Sequence, residues 1–284
     1  MAIHLSCCTG ADSFAALQTA GVKYVELALN YIGVISDDEF QQVKSDLQKY
    51  GLTCVSTYAF FPWEYKLVGE ERDLKACAEF LKKACTRLGE IGVKVAVLGC
   101  GGGRRVPEGG DYATNEKEFG ETIALAAYLL SKKADGCKLA IEPINSRETN
   151  FLTTVRDAAD YVRKLRDGKV DIDFSVVENE IPEAGSGITA DVFSNVGVIA
   201  DFYHMRMDEE PMDDVLYAGD LIYDTHIARN GDRAYPQKAD EDLYREFVDD
   251  LRKIDYDGVV SIEGNTGDFE RDIKVAAKVF ETII

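Results

Sequence analysis

The sequence predicts an α/β fold, a (β/α)8 TIM barrel, and three observations carry that expectation. Runs rich in β-branched residues alternate with amphipathic stretches from end to end. Eight strand-then-helix pairs can be drawn in this way. A chain of 284 residues suits eight βα units in a closed barrel, usually roughly 250 residues, better than an open doubly wound sheet.

The strands are drawn in order over residues 3–8, 24–29, 53–59, 93–98, 138–144, 196–202, 223–228 and 259–263. Each precedes apolar residues at three-and-four spacing, the mark of a helix with one buried face. Phe14 and Leu17 mark the first helix, Phe40, Val43, Leu47 and Tyr50 the second, and Leu74, Ala78, Leu81, Cys85 and Leu88 the third. Phe119, Ile123, Ala126 and Leu130 mark the fourth, and Val155, Ala159, Val162 and Leu165 the fifth. A shorter sixth lies around Met212, Val215 and Leu216; Leu243, Phe247, Leu251 and Ile254 give the seventh, and Ile273, Ala276, Ala277 and Phe280 the last. Residues 167–194 exceed the two to six residues usual for a helix-to-strand connection and read as an insertion at the bottom of the barrel, suited to packing or oligomer contact. A single domain over residues 1–284 follows.

Acidic residues outnumber basic ones by 51 to 32, a net charge of −19, so the surface repels phosphate polymers and anionic lipid. Nucleic acid and membrane are poor partners. No signal sequence and no bilayer-spanning apolar run is visible, and seven cysteines without a C-x-x-C pair suit reduced thiols, which together point to a cytoplasmic protein. A homo-oligomer is the usual state of such barrels.

Active sites of these barrels lie at the carboxyl ends of the strands. Four consecutive strands end on ionisable residues: the fifth on Glu142, the sixth on Asp201, the seventh on His226 and the eighth on Glu263. Strand alternation turns each inward. Three carboxylates and an imidazole converging need a compensating charge, which a divalent cation supplies. A donor set of oxygens with one nitrogen favours Mn2+, Mg2+ or Co2+ over a structural zinc site, with catalytic Zn2+ also compatible.

These residues make the chain resemble the sugar phosphate isomerase/epimerase family, xylose-isomerase-like TIM barrels that include ketose 3-epimerases. The resemblance rests on Glu142-Pro143-Ile144-Asn145-Ser146-Arg147-Glu148, on Asp201-Phe202-Tyr203-His204-Met205, on His226 with Arg233 seven residues later, and on Glu263. Leu98-Gly99-Cys100-Gly101-Gly102-Gly103-Arg104 resembles the family's fourth-strand loop. The resemblance implies that Glu142, Asp201, His226 and Glu263 hold the metal, that Glu142 and Glu263 exchange protons with a carbohydrate substrate, and that Glu148, His204 and Arg233 contact its oxygens. Three features depart from the ketose 3-epimerase pattern: one extra residue between His226 and Arg233, Gly264 where proline is usual, and the 167–194 insertion. They bear on the substrate rather than the chemistry.

A metal on a carbonyl oxygen lowers the cost of an enediolate, and two carboxylates then suffice to remove a proton from one face and return one to the other. The same set could isomerise an aldose to a ketose, or act as a dehydratase or lyase by losing a β-hydroxyl. Among lesser features, His4 reads as a core histidine, Tyr58, Phe60, Phe61 and Trp63 as either a sugar-facing wall or loop packing, and the glycines with Arg104 and Arg105 as either a phosphate cradle or a turn. An endonuclease IV-like nuclease, on the same fold, needs more than three histidines and a basic groove, neither present here. A non-catalytic barrel subunit would not need all four strand-end residues.

Overall fold

The computed structural model describes residues 2–284. Its strands are β1 His4–Cys7, β2 Tyr24–Ala28, β3 Thr53–Tyr58, β4 Val95–Leu98, β5 Lys138–Ile141, β6 Val196–Asp201, β7 Ile222–Ile227 and β8 Val259–Ile262. All pair in parallel, in the order β1-β8-β7-β6-β5-β4-β3-β2, which makes a TIM barrel. The seam between β1 and β2 is the weak join. A single bridge, Cys8 opposite Glu26, closes it, with the Thr9 N–H donating to the Glu26 carbonyl at 3.1 Å.

Every expected strand exists, most a little shorter than drawn. The fifth, expected to reach residue 144, stops at Ile141, just before Glu142-Pro143, where proline has no N–H to offer a ladder. Glu142 and Glu263 therefore stand one residue past their strands, while Asp201 ends β6 and His226 lies within β7.

The helices are α1 Phe14–Thr19, α2 Leu29–Ile32, α3 Asp37–Tyr50, α4 Leu74–Ile91, α5 Tyr112–Lys133, α6 Val155–Arg166, α7 Phe174–Glu180, α8 Phe202–Met207, α9 Asp213–Ala218, α10 Glu241–Lys253 and α11 Phe269–Phe280. Side-chain caps explain where several begin: Ser36 and Glu39 form a capping box on α3, and Asp73, Asp111, Thr154 and Asp268 accept backbone N–H groups of α4, α5, α6 and α11. Three helices were not expected. The short α2 follows β2 directly, α8 is started by Asp201, whose side chain accepts from the Tyr203 and His204 N–H groups, and α7 lies in the insertion.

Residues 167–194 form a packed flap rather than an open loop. Val177, Ile181, Ile188 and Phe193 are buried, and Ile172 lies where a side chain on Gly120 of α5 would have to go. Each such apolar side chain contributes about 1.5–3 kcal/mol on leaving water, enough to hold the segment against the helical layer. Most of the core lies between sheet and helices. Inside the barrel, Val97, Ala140 and Ile199 make a small separate cluster beneath the rim. His4 differs from expectation: it is exposed at the barrel's lower end, its ring 5.0 Å from that of Tyr24, because β1 begins there and nothing covers it. No described helix is long and apolar enough to cross a membrane.

Candidate active site

The structure brings Glu142, Asp201, His226 and Glu263 together at the carboxyl end of the barrel, one donor atom of each lying within 4.8 Å of the others. His226 Nδ1 is the hub, 3.6 Å from Glu263 Oε2, 3.9 Å from Glu142 Oε1 and 4.0 Å from Asp201 Oδ2. These are too long for hydrogen bonds. Two of the atoms, His226 Nδ1 and Asp201 Oδ2, are buried with no hydrogen-bond partner. Buried polar atoms are rarely left unpaired, so a pair of them aimed into one acidic space fits the binding of a cation. Three carboxylates and one imidazole are also the donors that hard divalent ions take.

Electrostatics separate the two glutamates. Burial and the Glu263 charge push the Glu142 carboxyl well above its ordinary range. Burial acts in the same direction on Glu263, but the nearby His226 and Arg233 charges outweigh it and hold this carboxyl below its usual range. Burial opposes a charge on His226, yet the Glu26 carboxylate draws its pKa upward.

His204 and Arg233 border the same space. His204 is buried, with Nε2 3.7 Å from both Glu142 Oε1 and Asp201 Oδ2, and its Nδ1 is 2.7 Å from Asn145 Nδ2. The Asn145 amide also donates to Glu148 Oε1 at 2.8 Å. Glu148 is thus in the site, but at its outer edge. Arg233 donates to Glu263 Oε2 at 2.5 Å and lies 4.9 Å from the Tyr203 ring. Arg233 has φ of 51°, and its carbonyl would sit 2.8 Å from any Cβ on Gly264. Two of the departures seen in the sequence therefore meet physically: the longer loop after His226 folds down onto Gly264, where a proline would collide.

The cavity above these four residues holds about 410 Å3 and is walled by Phe61, Trp63, Gly99, Ile144 and Asn265 as well as the polar residues. Gly102 is shared with a neighbouring groove of about 830 Å3 whose lining mixes Lys66 and Arg105 with Glu70, Glu71 and Glu108. Phe60 is buried packing, Phe61 is buried but lines the cavity, and Trp63 is 83% exposed at the rim. Gly99 makes room for chemistry, since a Cβ there would sit 2.3 Å from Glu142 Oε2.

Arg104 overturns the phosphate-cradle alternative. It is fully buried and donates to the carbonyls of Gly99 at 2.9 Å, Glu142 at 2.6 Å and Leu152 at 3.2 Å. Its guanidinium knits the loops after β4 and β5 together and is not free for an anion. Arg105 is exposed, and its guanidinium donates to the Glu148 carbonyl at 3.4 Å. The glycines serve the turn.

Sequence reasoning missed Glu26. Fully buried on β2, it lies beneath His226, with Oε2 3.1 Å from His226 Nε2 and the Ser261 hydroxyl on Oε1. The signal was available: a glutamate inside the apolar run Tyr24-Val25-Glu26-Leu27-Ala28. Attention to strand ends alone passes over it.

Known proteins resemble the chain as follows. A family profile described as xylose isomerase-like TIM barrel matches residues 14–175. The 3-dehydro-D-guloside 4-epimerase of Escherichia coli (strain K12) is 28% identical over 130 residues, a stretch that is 45% of this chain and 39% of the relative. Among solved structures, a 3-keto-D-glucoside 4-epimerase from E. coli superposes with a TM-score of 0.72 at 18% identity, covering 99% of each chain. A D-allulose 3-epimerase from Methylomonas sp., in complex with D-allulose, gives 0.73 at 19% identity, covering 99% of this chain and 97% of that one.

Proposed function

The chain belongs to the xylose isomerase-like TIM-barrel family, and from that premise we propose that it is a divalent-metal-dependent epimerase of keto sugars. The observation that carries the reading is the convergence of three carboxylates and one imidazole, two of their buried donor atoms without partners. Glu142, Asp201, His226 and Glu263 would hold the ion; the donor set suits Mn2+ best and also admits Mg2+, Co2+ or Zn2+. When bound, the ion supplies the positive charge that polarises the substrate carbonyl and lowers the cost of the enediolate.

The protein's own groups do the rest. Glu263 and Glu142 would serve as the acid/base pair, one taking the proton from the carbon beside the carbonyl and the other returning one. The two directly follow β8 and β5, with β6 and β7 between them, so a sugar seated in the cavity meets them from different sides and one stereocentre inverts. His204, Glu148 and Arg233 orient the hydroxyl and carbonyl oxygens.

The adjoining groove, which shares Gly102 with the cavity, supports a substrate longer than a monosaccharide, a keto-glycoside whose second group lies past Gly102 towards Arg105. Both E. coli relatives are named for sugars of that kind. Unpaired cysteines among the described residues support a reducing, cytoplasmic setting.

Proton–deuterium exchange followed by NMR tests the reading. Manganese-loaded protein in D2O, offered free ketoses, keto-glycosides and inososes, should place deuterium at one carbon of one substrate class. Glu263→Gln and Glu142→Gln should slow exchange by about 10²–10⁴-fold while the far-UV circular dichroism is unchanged. No exchange on any substrate with metal bound would sink the proposal, and loss of water would turn it into a dehydratase.

A further inference from the structure

Below the acidic rim lies a buried carboxylate that the chemistry above does not use. Glu26 is fully enclosed, and its polar partners are the imidazole of His226, at 3.1 Å, and the Ser261 hydroxyl. Burying a carboxylate costs several kcal/mol, and such a pair is a poor source of stability compared with apolar packing of the same volume. Its position therefore asks for a reason other than packing.

The geometry supplies one. An imidazole that donates from one nitrogen presents a lone pair on the other. His226 Nε2 faces Glu26, and Nδ1, without a hydrogen-bond partner, faces Glu142, Asp201 and Glu263. Ser261 fixes the second oxygen of Glu26, and the backbone of Glu26 makes the one bridge across the β1–β2 seam, so this carboxylate is anchored at both ends. We propose that Glu26 is a positioning residue: by accepting a hydrogen bond from the Nε2–H it fixes the tautomer and plane of His226 and leaves the Nδ1 lone pair aimed at the ion. The inference rests on the metal-site reading above.

A competing arrangement exists in the same atoms. Cys8 Sγ lies 4.0 Å from His226 Nε2, and Cys8, Glu26 and His226 are themselves close enough to hold a cation. An ion there would need the Nε2 lone pair, so Nε2 cannot serve both arrangements.

The chain has three histidines, which makes the test direct. In histidine-15N-labelled protein loaded with Zn2+, NMR should show His226 with a hydrogen-bonded proton on Nε2 and a metal-shifted Nδ1, and calorimetry should count one ion per chain. Mn2+ affinity should fall by about 10-fold in Glu26→Gln and by up to about 100-fold in Glu26→Leu, with Glu26→Asp recovering part of the loss. A proton on Nδ1, two ions per chain, or wild-type affinity in the Gln variant would overturn the role of Glu26 while leaving the metal site standing. Wild-type protein that binds no divalent ion would overturn both. Should Glu26→Leu not fold, the isosteric Gln variant and the wild-type spectrum decide the matter.

Discussion

From β5 to β8 the barrel presents Glu142, Asp201, His226 and Glu263 at its rim; from β1 to β4 it presents Phe61, Trp63 and a glycine turn, and keeps the one carboxylate of its strands, Glu26, buried beneath. The difference shows how a barrel can divide its work. One half carries the charges, and the other shapes the space into which they point. The division is not clean, because the shaping half sets the geometry of the charged half in two places: Gly99 against Glu142 and Glu26 against His226.

Gly99→Ala attacks that dependence where the largest effect is expected. The added methyl would sit 2.3 Å from Glu142 Oε2 and must displace the carboxyl, a misplacement of the kind that costs about 100-fold in rate. Deuterium exchange should slow accordingly while thermal unfolding remains cooperative. A wild-type rate would mean that the β1–β4 half does not constrain the acid/base pair.

The pH dependence of stability sharpens the contrast further. Glu142 at the rim and Asp224 deeper in the barrel are each pushed up to about 8, by burial together with the charges of Glu263 and Glu26 respectively. Between the usual carboxylate range and pH 8 the folded protein thus binds more protons than the unfolded chain, so the metal-free form loses stability as pH rises from about 5 to about 8. His226 acts with the same sign, its raised pKa giving stability that is present below its ordinary range and lost as pH climbs. Glu263, held low, contributes throughout this window and is lost only in acid. Melting temperatures of the metal-free protein should fall across this range, and the increment given by Mn2+ should widen. A flat profile would show that these carboxyls are solvated.

The smallest effect belongs to Trp63. At 83% exposed it holds up little of the fold, so Trp63→Ala should change stability by less than about 0.5 kcal/mol. If the rim tryptophan stacks on the second group of a keto-glycoside, KM for that substrate should rise by about 2–12-fold, with monosaccharide ketoses little affected. Equal KM changes for both classes would remove the tryptophan from specificity.

Much of this architecture was legible in the chain. Short β-branched runs and helical spacing locate eight strands because each strand must be apolar to lie between barrel interior and helical layer. The same pattern makes Glu142, Asp201, His226 and Glu263 conspicuous, since a charge at the end of such a strand has no packing role. Glu26 was passed over by the opposite logic: it sits mid-strand, where its setting in an apolar run is the one local signal and its partner lies in a distant segment. Arg104, beside three glycines, reads as part of a phosphate cradle or a turn, and it points inward because three carbonyls from the loops after β4 and β5 await it.

What the sequence determined alone was therefore periodic or terminal: the eight strand–helix units, the insertion after the fifth helix, the four ionisable strand ends. These follow from local pattern, where the period of apolar residues and the first polar residue after a strand are written into consecutive positions. What only the tertiary structure decided was pairing between distant segments. Glu26 and His226 are 200 residues apart, Arg104 and Glu142 are 38 apart, and Arg233 closes on Gly264 through a loop whose path the spacing does not fix. Closure of the barrel brings these groups within reach, and the cost of leaving a buried polar atom unpaired then selects which of them meet.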